Sequence, residues 1–344
     1  MKNKIYIQSA AHISAQKPLS ETWMETPQAP VSETWEVDYK EYLAPNVARR
    51  MGKLLKRALV CSRVAMERAH VDCPDAIIST TGLGCIMNTE VFLDAEERNG
   101  ENLLNPTPFM LSTHNTIGST IAIDTHCKGY NTHYSQKFVS FDCGLLDACM
   151  QLQREEINTV LLNGNDESSP VFDKILRHLD QWNFKVPWFK GESAISMVLS
   201  KKEQSSSLCR IDDMMMCCRM SNDKLKKELE EFLNRNGCCL SELDALFVGL
   251  NGHEKNDRVY FEWAENIFSR LPLVYYKHLF GEHYTMSGMG LYVAAICLSR
   301  GMVPNHLILN SQDTLTGLKR VLFCNHSADR EYSFVLLGSK NREI

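Results

Sequence analysis

The sequence predicts an α/β protein, on three observations. Short apolar runs alternate with longer segments whose apolar residues recur at helical spacing. The same order of elements is met twice, before and after a serine run at Ser205 to Ser207 set in charged residues. The chain has 344 residues with 44 % hydrophobic content, which suffices for a full core without metals or disulfides.

Taken in order, Ile5 to Ile7 reads as a short strand, and the polar, proline-containing stretch from Ser14 to Thr34 as irregular. From Val47 to about Ala69, the residues Met51, Leu54, Leu55, Ala58, Leu59 and Ala65 fall at helical spacing, with Arg49, Arg50, Lys53, Lys56 and Arg57 interleaved. That pattern predicts a long amphipathic helix. Ala76 to Ser79 is a buried-strand candidate ending in Thr81-Gly-Leu-Gly84, and Ile117 to Ile123 belongs to a helix packed on the sheet. Phe141 to Glu155 reads as a helix, Thr159 to Leu162 as a strand, Asn163-Gly-Asn-Asp-Glu167 as a tight turn, and Ala194 to Leu199 as a further strand.

Beyond the serine run the order repeats. Lys224 to Asn234 reads as a helix, Ala245 to Gly249 as a strand, Tyr260 to Phe268 as a helix and Leu273 to Tyr275 as a strand. Gly288 to Arg300 is then a helix, and Val321 to Cys324 with Phe334 to Leu337 closes the sheet. Two halves are expected, residues 1–204 and 208–344.

Thirty-seven basic against 42 acidic residues leave a net charge of −5, without the basic excess on which nucleic-acid or anionic-membrane binding would rest. No apolar signal stretch follows Met1, and the longest apolar run, Gly288 to Leu298, is too short to span a bilayer, so a cytoplasmic protein is expected. The 13 cysteines are odd in number and scattered, with no two CxxC pairs at zinc spacing, and read as reduced thiols. There is neither a Walker-type lysine loop nor a GxGxxG after a strand, and no metal or nucleotide cofactor is expected.

Several segments, taken together over roughly residues 40 to 340, resemble the β-ketoacyl-acyl-carrier-protein synthase family. Asn115-Thr-Ile-Gly118 followed by Lys128-Gly-Tyr-Asn131 is similar to the family's approach to its nucleophile, and Asn163 to Glu167 to its Gly-Gly-Xaa-Glu turn. Gly191-Glu-Ser-Ala resembles its Gly-Glu-Gly-Ala strand, Asn251-Gly-His253 its Asn-Ala-His, and Lys277 the lysine before its second histidine. Gly288 to Pro304 follows its helix ending in Gly-Xaa-Xaa-Pro. The resemblance implies a thiolase-like fold, two similar βαβ-type halves in a five-layered α-β-α-β-α arrangement. It also implies decarboxylative Claisen condensation, which needs a thiolate at a helix N-terminus, imidazole donors near the enolate oxygen, and an oxyanion hole of backbone amides.

Those requirements are what the sequence departs from. Cys127, in Asp124-Thr-His-Cys127, is followed by the turn-forming Lys-Gly-Tyr-Asn instead of a helix, so it reads more simply as a buried thiol near a strand end. Counting back one helix and one strand from Glu167 places Phe138 at the family's nucleophile position, with the helix starting near Ser140. Cys143 falls inside that helix. His253 matches the first family histidine and reads equally as a polar loop residue. Glu282 falls at the second histidine's position and His283 one residue later, and a carboxylate there would repel an enolate. In place of the family's glycine-rich gating loop stands Asn325-His-Ser-Ala-Asp-Arg-Glu331, whose side chains are expected to obstruct conformations with φ > 0.

A family member without its cysteine looks like a chain-length factor, of the kind associated with aryl polyene and flexirubin-type pigments. The resemblance implies an active synthase as partner, or a second copy of the chain, and an acyl carrier protein bringing its phosphopantetheine arm. The strand before the nucleophile position, Tyr130, Asn131, Thr132, His133, Tyr134 and Ser135, is the interface candidate, and reads otherwise as an internal strand. Arg49, Arg50, Lys53 and Arg57 are candidates for docking an acidic carrier protein, or form a solvated helix face. His114 is expected to hold loop geometry. The alternatives are an active synthase using Cys127 with His253 and His283, a non-enzymatic binding or regulatory protein on the same fold, and, more remotely, a thiolase acting on coenzyme A esters.

Overall fold

A computed structural model describes residues 4–340, except 30–32, 101, 103, 180–183, 186, 269–270 and 310–312. Part of the irregular Ser14 to Thr34 stretch therefore lies outside the described residues. The first half contains β1 (Ile5–Ile13), α1 (Pro45–Ala48), α2 (Lys53–Arg68), β2 (Ala76–Thr80), α3 (Ile86–Asn99), α4 (Pro106–Ser112), α5 (Thr116–Thr125), β3 (Tyr130–Tyr134), α6 (Ser140–Leu152), β4 (Thr159–Asp166), α7 (Pro170–His178) and β5 (Ser193–Ser200). The second contains β6 (Cys209–Cys218), α8 (Asn222–Arg235), β7 (Ala245–Val248), α9 (Glu254–Asn266), β8 (Leu273–Tyr275), α10 (Lys277–Phe280), α11 (Met286–Arg300), β9 (Met302–Val303), β10 (Leu315–Thr316), β11 (Arg320–Ser327) and β12 (Glu331–Gly338).

The main sheet has ten strands in the order β3-β2-β4-β5-β1-β6-β12-β11-β7-β8. That order is one motif used twice. β2 runs parallel to β3 and β4, while β5 lies antiparallel to β4 and β1. β7 likewise runs parallel to β8 and β11, while β12 lies antiparallel to β11 and β6. The motifs meet along β1 and β6 at Ile5↔Ile211, Tyr6↔Arg210 and Ile7↔Cys209.

Strand alternation sorts the side chains into layers. Ile77, Leu161 and Val198 face outward, where Leu54, Leu59, Ile117 and Ile121 of α2 and α5 cover them. Their neighbours Ile78, Leu162 and Met197 face the middle, against Phe141 and Leu145 of α6 and Met289 and Val293 of α11. Beyond the second group of strands, Leu229 and Phe232 of α8 and Tyr260 and Trp263 of α9 pack on Leu246, Val248 and Leu322. The layers therefore run helix, sheet, helix, sheet, helix. α11 is buried from Met286 to Leu298 and apolar all round, as a central-layer helix must be. Its Gly290 admits the Tyr276 ring, which lies 2.4 Å from where a Cβ would stand.

Several elements differ from the sequence expectation. β1 runs on to Ile13, because pairing with β5, which continues past the end of the β6 pairing at Ile7, overrides the polar Gln8-Ser9. The helix expected from Val47 begins at Lys53, so Arg49 and Arg50 lie in the turn after α1. Asn163 to Asp166 is not a turn but the end of β4, fully paired with β5. α3, α4, α7 and β6 were not read from the pattern. Neither α3 nor α4 buries a single residue, so neither presents the apolar stripe that marks a helix. Asn325 to Glu331 forms the β11–β12 hairpin, where Ala328 and Asp329 adopt φ of 51° and 54° despite their side chains.

Candidate functional site

Parallel strands β2, β3, β4, β7 and β8 point their C-terminal ends toward one region, and the positions singled out in the sequence are distributed around it. From β3 the chain turns sharply into α6. Lys137 takes a left-handed φ of 51°, and the buried Ser140 hydroxyl accepts from the Gln136 N–H (2.7 Å) and donates to the Lys137 carbonyl (2.6 Å). Phe138 stands on this elbow immediately before α6, its carbonyl accepting from Asn325 Nδ2 at 2.9 Å. The same amide donates to the buried Asp142 carboxylate at 2.8 Å, tying β11 to the first turn of α6. The Phe138 ring packs at 4.9 Å on the Tyr284 ring. Tyr284 fits because residue 82 is glycine, with the ring 2.2 Å from where a Cβ would be.

The other half contributes charge. After β8, Lys277 Nζ donates to Glu282 Oε2 at 2.7 Å, and Asn251 Nδ2 donates to the same oxygen at 2.7 Å. Lys277, Glu282 and Asn251 are all buried. Glu282 Oε1 has no hydrogen-bond partner among the described residues. The segment is held to the Gly191 strand by Glu282 N–H to Phe189 O (2.8 Å) and Gly191 N–H to Glu282 O (3.0 Å). His253 is half-buried at the N-cap of α9, placed by its own N–H on Asn251 Oδ1 at 3.0 Å. Its imidazole makes no hydrogen bond among the described residues. Among these groups, only a carboxylate bound to an ammonium and a half-buried imidazole remain for acid–base work, with no nucleophile at the elbow.

His283 does not supply a second imidazole. Its Nε2 is paired with Ser193 Oγ at 2.9 Å and its Nδ1 with Asp166 Oδ2 at 3.3 Å. Burial pushes the Asp166 carboxyl up, but His283, the Gly82 N–H and the Thr285 hydroxyl together hold it below the usual carboxylate range. The Ser–His–Asp order is that of a hydrolytic triad, but Ser193 is wholly buried at the start of β5 and cannot meet a substrate. These residues strut β4, β5 and the segment before α11.

Cys127 lies at the opposite end of the strands. It follows the C-terminus of α5, capped by His126 at φ 57°, and its thiol contacts the Pro74 carbonyl at 3.1 Å, before β2 begins. Burial pushes the thiol's pKa up, and a helix C-terminus carries the wrong sign of dipole for a thiolate. Strand β3 separates Cys127 from Phe138, a span of roughly 16 Å at about 3.3 Å per residue. Cys143, inside α6, is pushed up to about 11 by burial.

The interface candidates Tyr130 to Tyr134 form β3, which is an edge strand and not an internal one, and Ser135 follows it. His133 packs near His114 at 5.9 Å between ring centres, and its pKa is lowered to about 4, first by burial. Of the docking candidates, Arg49, Arg50 and Lys53 are exposed. Arg57 is not. Only 1 % of its side chain is exposed, and it is bound to Glu36 and, at 2.9 Å, to Glu192, so it cannot meet a partner's acidic surface. Among the described residues no group of three or more His, Cys, Asp or Glu side chains is arranged to hold a metal, and no helix is long and apolar enough to cross a membrane.

Comparison with known proteins places the fold. The family model of the β-ketoacyl synthase N-terminal domain matches residues 20–251. No curated protein matches the chain in sequence. Among solved structures, the ishigamide ketosynthase/chain length factor is 14 % identical, covers 98 % of this chain and 100 % of its own, and superposes with a TM-score of 0.79. A β-ketoacyl synthase from Burkholderia phymatum STM815 is 11 % identical, with 98 % and 100 % coverage and a TM-score of 0.77. An acyl-carrier protein in complex with its ketosynthase from a type II polyketide synthase, bound to the hexaketide, gives 12 % identity, 98 % and 99 % coverage and a TM-score of 0.79. At these identities the likeness shows the fold, a thiolase-like ketosynthase architecture with the five layers described above.

Proposed function

The chain belongs to the β-ketoacyl synthase family, and on that premise we propose that it is a non-catalytic, chain-length-factor-like subunit that pairs with an active synthase. The observation that carries this reading is Phe138. The elbow keeps the strand-to-helix shape in which a helix N-terminus would activate a thiol, yet it presents a ring packed on Tyr284. No acyl group can be taken up there. The Lys277–Glu282 pair supports the same reading, because a carboxylate held on one oxygen by an ammonium and an amide is no donor to a developing enolate.

In this role the subunit works in the cytoplasm and lines the space into which the partner's chain grows, with the Phe138 ring limiting it. The edge strand β3 joins the partner, as its outer N–H and C=O groups face no strand among the described residues. Acyl carrier protein brings the substrate on its phosphopantetheine arm, and Arg49, Arg50 and Lys53 offer it a basic surface. Pigment pathways of the aryl polyene or flexirubin kind fit a subunit of this type.

Intact-mass spectrometry after incubation with an acyl thioester donor tests this, with the chain alone and co-expressed with an active synthase. The partner alone gains the acyl mass while the two co-purify. An acyl mass on this chain that disappears in Cys127→Ala would overturn the reading. With the pair in hand, Phe138→Ala lengthens the product while leaving the partner's acylation unchanged. Unaltered product length would remove the ring from that role.

A further inference from the structure

All 13 cysteines are free thiols, and three of them, Cys73, Cys218 and Cys239, are exposed. Cys73 is set apart by its surroundings. It stands in the segment between α2 and β2, and Cys127 stands in the segment between α5 and β3. Each cysteine comes three residues before a strand whose first residues, Ala76 and Tyr130, are register partners in a parallel pair. Neighbouring strands lie about 4.8 Å apart, inside the Cα separation of about 4.4–6.8 Å that a disulfide spans. The two lead-in segments keep that close approach because residue 129 is glycine, and a Cβ there would collide with the Asp75 carbonyl oxygen.

The sulfurs themselves converge. Cys73 Sγ lies 3.7 Å and Cys127 Sγ 3.1 Å from one acceptor, the Pro74 carbonyl oxygen. Cys73 is exposed and Cys127 half-buried. Both segments are fixed in place. Asp75 Oδ2 accepts from the Asn158 and Thr159 N–H groups at 2.9 Å each, which anchors the first segment beside β4. The Cys127 N–H donates to the Ala122 carbonyl at 3.0 Å, which ties the second to the end of α5. Two thiols from distant parts of the chain are thus held side by side, one of them open to solvent, as thiol–disulfide exchange requires. We propose that Cys73 and Cys127 form a redox site that takes a low-molecular-weight disulfide of the glutathione class as its substrate and closes into an intramolecular disulfide.

Cys73 gives its proton to solvent and attacks one sulfur of the small disulfide, whose other half leaves as a thiolate and takes up a proton. Cys127 then loses its proton to solvent and attacks Cys73 Sγ, expelling the second half. Two cysteine thiols are oxidised and one external disulfide is reduced to two thiols. Burial raises the Cys127 pKa, the Gly129 N–H opposes it, and the neighbouring Cys73 thiol adds to the rise, so the second step quickens as pH rises. The crosslink closes a loop containing β2, α3, α4 and α5, and ties the start of the edge strand β3 to the start of its neighbour β2. This site lies at the other end of β3 from Phe138 and needs neither the elbow nor a partner subunit.

Oxidised glutathione is the probe, added to the reduced full chain carrying Cys218→Ser and Cys239→Ser, which leaves Cys73 as the exposed thiol. The intact mass is expected to fall by two hydrogens with no glutathione retained, and peptide mapping without reductant to join the Cys73 and Cys127 peptides. Dithiothreitol reverses both. With Cys127→Ser added, glutathione stays on Cys73. With Cys73→Ser added, none is taken up and no crosslink forms. Closure, followed as loss of the glutathione adduct, should quicken roughly tenfold per pH unit below the Cys127 pKa. Peptide mapping of the unsubstituted pair keeps the test sound if Cys127→Ser fails to fold. Glutathione retained on Cys73 while Cys127 is present, a crosslink from Cys73 to any other cysteine, closure at a rate independent of pH, or a chain left unmodified would each overturn the proposal.

Discussion

The duplicated motif places two strand-to-helix turns in equivalent positions, β3 into α6 and β8 into α11, and they have diverged in opposite ways. The first has the sharp turn of an elbow and presents no nucleophile. Lys137 is still held left-handed and Ser140 still bridges the turn, but the side chain presented is Phe138. The second holds charged and polar groups that satisfy one another. Lys277 and Glu282 hold each other at 2.7 Å in a buried pair, and the neighbouring His283 is bound on both ring nitrogens. On the proposed chain-length-factor reading, the frame outlasts the chemistry in both halves, as a subunit kept for its surfaces and its packing would require.

The largest expected effect separates the two turns directly. Lys277→Met or Glu282→Leu alone strands a buried charge and should cost about 3–5 kcal/mol in urea unfolding, whereas the double variant should recover most of it. Single losses no greater than those of a surface pair would mean that the second turn is not locked. Phe138, half-buried and neutral, carries no such penalty, so its substitution should act mainly on product length.

A second contrast lies two strands further in. β11 returns to β12 by a tight hairpin, whereas the equivalent β4 reaches β5 through a long connection that contains α7 and begins at Glu167. Glu167 in that connection has its carboxyl raised from 4.5 to about 7, chiefly by burial. A carboxyl with a raised folded-state pKa gives stability that is present below the unfolded value and lost as pH rises through the folded one. Glu167→Gln should therefore change little near pH 4 and stabilise by on the order of 2 kcal/mol at pH 8, discounted for partial exposure. Equal effects at both pH values would place the burial cost elsewhere.

Much of this frame was legible in the sequence. The alternation of strands and helices gave the α/β class, and the family resemblance gave the five layers and, counted back from Glu167 with a helix starting near Ser140, the place of Phe138 on the elbow. Arg57 shows where reading by composition misleads. Composition groups it with the basic residues around it, although its spacing to Leu54, Ala58 and Cys61 places it on the buried stripe of α2. Its partners Glu36 and Glu192 lie 21 and 135 positions away, and no local pattern announces them. α3 and α4 escaped for a different reason. A helix that buries nothing in its own chain has no periodicity to read.

The smallest expected effect asks whether the first turn is still under strain. A non-glycine residue in the left-handed region costs about 1–2 kcal/mol, and replacing it by glycine also frees the unfolded chain, at about 0.5–1 kcal/mol. The side chain of Lys137 is exposed and little packing is lost with it, so Lys137→Gly should stabilise by about 0.5–1 kcal/mol. Ala328→Gly in the β11–β12 hairpin, at the same φ of 51°, is the matching substitution in the other half, where no functional elbow exists. Equal gains in urea unfolding would make both positions ordinary turns. A gain at Ala328 without one at Lys137 would mean that contacts specific to the elbow, through Ser140 and Asn325, now depend on the lysine backbone being where it is, and that the shape is maintained for the Phe138 ring it presents.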